Sequence, residues 1–200
     1  MADKALKKQQ IINGISTDVF WQIVNTFSGF VAVPIILNYT DSESYGYWLA
    51  IISALTYFGM FDFSLGMSLT HAISSVSREK TKKLNQLINT GLVSLVLLGF
   101  LILIAGYLVS FFIDNIFNIS SVHKYDIILS FRLLVVGLAI SLPFNVFSSI
   151  LVGFNYLSLE KNIKEGVRFV GILFSIILVV SGFGVIGLAI ANLFTIVCTG

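Results

Sequence analysis

The sequence predicts an all-α integral membrane protein, one bundle of six transmembrane helices, and three observations predict it. Six long apolar stretches occupy the 200 residues. The chain is 56% hydrophobic and only 11% charged, whereas a soluble domain carries about a quarter charged residues, so most of the apolar surface needs lipid as its solvent. Ten of the twelve Lys and Arg lie in every second gap between the stretches. Lys4, Lys7 and Lys8 precede the first; Arg78, Lys80, Lys82 and Lys83 separate the second and third; Lys161, Lys164 and Arg168 separate the fourth and fifth. Basic side chains resist translocation across an energised membrane. The rich gaps are therefore predicted to be cytoplasmic, with the chain starting inside, crossing six times and ending inside.

Each span follows from its length and its ends. Span one is predicted over about 14–37, enough for a hydrocarbon core that needs about 20 helical residues. Its Lys-rich approach resembles a signal peptide, but Asn13, Asp18, Gln22 and Asn25 interrupt the stretch and no small-residue cleavage site follows, so it reads as a retained span. Pro34 lies near its outer end, where a lost backbone donor is tolerated. The segment from Asn38 to Ser44 turns outside. Span two covers about 45–73 and opens on Tyr45, Tyr47 and Trp48, rings that suit headgroup depth. Span three covers about 87–112, and span four about 127–154 with Pro143 inside it. Span five is expected over about 167–180, and Ser181-Gly182-Phe183-Gly184 returns the chain to span six, about 185–200. Span six is still apolar where the sequence stops at Gly200, which is expected of a piece of a longer chain. Nothing marks a domain boundary, so residues 1–200 read as one bundle.

Polar side chains inside these spans are the candidates for function, because hydrocarbon makes each of them costly unless it meets protein or water. Asp18, Gln22, Asn25 and Gly29 share one helical face. Similar stripes run through Ser64, Ser68, His71 and Ser75, through Ser141, Asn145 and Ser148, and through Asn192, Thr195 and Thr199. Spans one, two, four and six are thus expected to line a polar interior, with three and five facing mainly lipid. Ser and Thr stripes also serve close helix packing, and both readings stand for spans four and six. Asp62 lies about 24 Å into span two at 1.5 Å per residue, placing it in the inner half of the membrane, between Gly59 and Gly66. It is either a structural acid bonded to a neighbouring helix or part of an ion or substrate path. His71 lies about 180° around the helix from Asp62 and is either an interfacial histidine or part of the path. Arg132 either snorkels to the outer headgroups or meets an anionic group in the bundle.

Other chemistry is not expected. Cys198 is the only cysteine, which excludes an internal disulfide and a multi-thiolate metal site. The sequence offers no aspartate pair at metal-ligand spacing, no phosphate loop and no room for a soluble catalytic domain, so neither enzyme activity, a metal nor a cofactor is anticipated. A net charge of +2 gives no reason to invoke nucleic acid.

The run Tyr45-Gly46-Tyr47-Trp48, continuing through Phe58-Gly59-Met60-Phe61 to Asp62-Phe63-Ser64-Leu65-Gly66, resembles the second-span signature of bacterial polysaccharide flippases. These are the O-antigen translocases of the multidrug/oligosaccharidyl-lipid/polysaccharide exporter superfamily. Ser64 stands where the first glycine of a Phe-Asp-x-Gly-x-Gly segment is usual. The basic N-terminus, Asn13 and Pro34 also fit. The resemblance implies the N-terminal lobe of a 12–14-helix exporter in the bacterial cytoplasmic membrane. It implies alternating-access flipping of an undecaprenyl-pyrophosphate-linked oligosaccharide for surface polysaccharide, coupled to H+ or Na+, with polysaccharide polymerase and chain-length proteins as partners. Asp62 and Gly66 belong to the signature, and Arg132 is the cation it would use. A drug antiporter and a non-transporting assembly partner are the alternatives.

Overall fold

The computed structural model describes the backbone of residues 2–76, 81–117, 119 and 123–200, and the side chains of these except 2–16, 18, 59, 61–64, 81, 115 and 116. Six helices make it up: α1 (Ala2–Tyr39), α2 (Ser42–Ser75), α3 (Thr81–Phe117), α4 (Lys124–Gly153), α5 (Leu157–Leu178) and α6 (Gly184–Thr199). Four stretches are long and apolar enough to cross a bilayer: Val19–Tyr39, Lys82–Asp114, Lys124–Gly153 and Leu157–Thr199, the last taking in both α5 and α6. The chain is thus an all-helical protein of multi-pass membrane character among the described residues.

α1, α2 and α3 run past the apolar stretches at both ends, and α4, α5 and α6 at their N-terminal ends. A helix satisfies its own backbone hydrogen bonds whether lipid or water surrounds it, so polarity marks where hydrocarbon stops and not where the helix stops. Asp41 ends the two-residue turn after α1 by accepting the Ser44 backbone N–H at 2.9 Å, a side-chain cap that starts α2. α1 begins at Ala2 and not near 14, and α5 begins at Leu157 and not near 167. The expected cytoplasmic gap shrinks to Phe154, Asn155 and Tyr156, with Asn155 at φ 67°. Between α5 and α6, Gly182 takes φ 90°, a conformation that glycine adopts without a Cβ clash.

α4 is the central helix, packed on α2, α3 and α6, while α1 leans chiefly on α5. Its apolar residues surround the whole helix, but only one side is buried against these neighbours: Leu134 and Leu142 are fully buried, while Val136, Ile140, Phe144 and Phe147 form an exposed apolar face. α3 comes close enough to α4 that a Cβ on Gly99 would stand 2.7 Å from the Ala139 carbonyl oxygen. The main core joins Ala32 and Ile36 of α1, Trp48, Ile51 and Leu55 of α2, Phe131 and Leu134 of α4, and Leu188 of α6. These residues all lie toward the end of the bundle that carries the α1–α2, α3–α4 and α5–α6 turns. Trp48 is therefore a core residue, 8% exposed, and not the headgroup ring expected from its position. At the other end a smaller cluster, Leu69, Ile73, Leu95 and Val146, ties together only α2, α3 and α4. There α1 and α5 meet through polar side chains.

Candidate functional site

A cleft of about 560 Å³ opens between α1, α2, α5 and α6. Ala32, Ile36, Trp48 and Leu188 form its apolar end and belong to the main core. Ser175, Asn192, Thr195 and Thr199 line its walls, and Lys164, Glu165 and Arg168 line its charged end. From Lys164 to Ser175 the α5 wall spans roughly 16 Å at 1.5 Å per residue. One face of α5 thus lines the cleft, while Val170, Leu173 and Ile177 on the other stay exposed. The sequence places the first part of α5 in a gap between spans, whereas it is helical from Leu157 and sets Lys164, Glu165, Arg168 and Gly171 along the cleft.

The charged end is held by a network across three helices. Asn25 Nδ2 donates to Glu165 Oε2 at 2.6 Å, and Arg168 lies 3.5 Å from the same oxygen. One turn away along α1, Trp21 Nε1 donates to Asn162 Oδ1 at 2.8 Å. Glu160 Oε1 accepts from Ser148 at 2.7 Å and pairs with Lys164 at 2.7 Å, while Lys164 Nζ donates to Ser148 at 3.0 Å. The Glu-before-Lys order at i, i+4 is the favourable one on a helix. A second cavity of about 340 Å³ lies between α2 and α4, lined by Gly66, Thr70, His71, Asn145 and Ser148, and Lys164 reaches it as well. Lys164 is thus common to both cavities.

Of the residues singled out from sequence, Asn25 stands at the cleft's charged end, while Gly66, His71 and Asn145 share the second cavity. Gln22 does not join Asn25. It is exposed and lies with Val19, Ile23, Thr26, Phe27 and Phe30 in an outward groove, because α5 covers only one edge of the α1 stripe. The Gly66 carbonyl accepts from Ser149 of α4 at 3.3 Å. Asp18 and Asp62 have side chains outside the described ones. Arg132 lies apart from both cavities: its Nε donates to Ser110 at 3.1 Å, and its guanidinium sits 5.1 Å from the Tyr107 ring centre and 5.6 Å from that of Phe111, a cation–π arrangement on α3. Sequence reasoning missed Glu160, Glu165, Asn162 and Trp21, and took Lys164 and Arg168 for topology residues. The i, i+4 pairs Glu160–Lys164 and Lys161–Glu165 were the available signal that this segment is helical.

At the opposite end, the Ser44 backbone N–H holds the Asp41 carboxyl below the usual carboxylate range, helped by the Ser44 hydroxyl and by His123 and opposed by partial desolvation. No family model, curated protein or solved structure matches the chain.

Proposed function

We propose that this chain is the six-span N-terminal lobe of an alternating-access flippase for undecaprenyl-pyrophosphate-linked oligosaccharide in the bacterial cytoplasmic membrane, with its N-terminus in the cytoplasm. The observation that carries the reading is the cleft, walled by otherwise apolar helices, closed by core residues at one end and lined by Lys164, Glu165 and Arg168 at the other. A charge at the centre of a spanning helix costs about 2.5–3.5 kcal/mol or more, which favours placing these charges on a hydrated wall. The isoprenoid tail can remain in lipid while the sugar and pyrophosphate require a wet path with cations, and Lys164 and Arg168 supply them. The Tyr45–Gly66 signature and the alternating basic gaps support the same reading. In it, the second cavity is a fold between α2 and α4 that changes as the lobe rocks, with Lys164 coupling the two. H+ or Na+ coupling, and contacts with polymerase and chain-length proteins, belong to this proposal.

The test is complementation of a deletion strain with Lys164→Ala, Arg168→Ala and Lys164→Arg, reading surface polysaccharide and lipid-linked precursor at matched protein levels. The Ala variants are expected to lose surface polysaccharide and accumulate precursor, with Lys164→Arg retaining part of it. Unchanged polysaccharide in both Ala variants would refute the role. Changed drug susceptibility with normal polysaccharide would instead identify an antiporter.

A further inference from the structure

The two turns at the core end of the bundle bring together three metal-ligating side chains far apart in sequence. Asp41 and Glu43 come from the start of α2, and His123 from the residue before α4. One ligand atom from each lies within 4.8 Å of the others, and His123 Nε2 stands 3.6 Å from Asp41 Oδ2. Zinc bound at about 2.0–2.2 Å by nitrogen and oxygen ligands in a tetrahedron needs ligand atoms roughly 3.3–3.5 Å apart. The His–Asp pair is nearly there, and the exposed Glu43 closes the remainder by rotating its side chain.

We propose that Asp41, Glu43 and His123 bind a divalent transition-metal ion of the zinc type and so fasten the α1–α2 turn to the α3–α4 turn. Each ligand also has an outer partner, the arrangement that orients ligands around a metal. His123 Nδ1 is 3.0 Å from the Ser44 hydroxyl, and Ser44 is 4% exposed. With Nδ1–H donating to Ser44, the Nε2 lone pair is left facing the Asp41 carboxylate. Asp41 accepts the Ser44 backbone N–H, and Glu43 Oε1 accepts from the Tyr47 hydroxyl at 3.0 Å. Two carboxylates and a neutral imidazole match a 2+ ion in charge, and imidazole selects transition metals over magnesium and calcium. Helix capping accounts for Asp41; it does not require Glu43 and His123 to converge on it. Three protein ligands leave a fourth tetrahedral position for a water. This site is independent of the transport reading and of the sugar.

The experiment uses the full chain purified in detergent, free of any tag and stripped with EDTA. Zn2+ is titrated by calorimetry, and Co2+ by the visible absorption of the four-coordinate ion. The expected result is one ion per chain. Binding should weaken at least about a hundredfold in His123→Ala and in Asp41→Asn, which keeps the helix cap. Ser44→Ala should weaken it roughly tenfold to a hundredfold, and His71→Ala should leave it unchanged. Absence of one-to-one binding, wild-type affinity in His123→Ala, or equal affinity for Ca2+ would overturn the assignment. Gel-filtration profiles of the variants keep a folding defect from passing as lost binding.

Discussion

The contact that closes the charged end of the cleft, Asn25 to Glu165, is measurable as a coupling energy between α1 and α5. A hydrogen bond to a charged group contributes about 1.5–3 kcal/mol in water-soluble proteins. Polar contacts between membrane helices average about 0.6 and reach about 1.7, because the unfolded chain in the membrane also finds partners. Glu165 is one-third exposed, which pulls its value down, but its acceptor is a carboxylate, which pulls it up. About 1 kcal/mol is therefore expected, or about a fivefold change in the folded-to-unfolded ratio. The single variant Asn25→Ala will understate it. Asn25 Oδ1 is buried with no partner among the described residues, so truncation also removes an acceptor whose burial costs about 1–3 kcal/mol. Only the cycle of Asn25→Ala, Glu165→Ala and the double variant isolates the pair. The assay is unfolding in mixed micelles by increasing SDS, followed by tryptophan fluorescence, to which Trp21 contributes from the same interface. A parallel cycle on Gln22 and Glu165 should be additive, since Gln22 lies in the outward groove. Closure of the Asn25–Glu165 cycle within about 0.3 kcal/mol, the margin of independent sites, would refute the α1–α5 contact.

Four further outcomes follow from the packing and from the α2 cap. Gly99→Ala presses a methyl against the Ala139 carbonyl, a backbone atom that cannot rotate away, and should destabilise by about 1–3 kcal/mol. Gly29→Ala meets nothing within 4 Å and should stabilise by about 0.5–1 kcal/mol through helix propensity alone, both read as shifts in thermal midpoint in detergent. Glu160→Ala leaves Lys164 in the wall between the two cavities without its carboxylate. With Glu160 only 12% exposed and Lys164 35%, the loss should fall at about 1–2 kcal/mol, between exposed pairs at about 0–1 and broken buried pairs at about 3–5; Glu160→Gln should recover part of it. Asp41→Ala in the presence of EDTA should cost about 0.5–2 kcal/mol as a lost helix cap, and Asp41→Asn much less, by the same SDS titration.

How far the sequence could be read depended on which physical rule each residue obeys. Apolar length is set by the hydrocarbon core, so the positions of the helices were legible, but apolar residues on every side of α4 serve lipid and protein contact alike, and its central place was not. The helix ends were not, because charged residues continue a helix as readily as they form a loop. That ambiguity fell hardest on α5. Counting bases between spans treats Lys161, Lys164 and Arg168 as a sum and discards Glu160 and Glu165 as noise. The spacing of those same five residues was the informative part, since Glu160–Lys164 and Lys161–Glu165 are both i, i+4 pairs of opposite charge. Such pairs stabilise a helix by about 0.2–0.5 kcal/mol each and have no counterpart in a loop. Once the segment is helical, its charges cannot all leave the bundle by the same side. Lys164 and Arg168 then fall on the face that also carries Gly171 and Ser175, beside α6 and α1. Asn25 was found from its stripe, but its partner was hidden in the discarded acids. For the Asp41, Glu43 and His123 group no local pattern exists at all, because about 80 residues separate its halves and the packing of α2 beside α4 brings them together. A chain of this kind therefore shows its lipid-facing architecture in composition, and its polar architecture in the spacing of charges within the gaps that composition treats as loops.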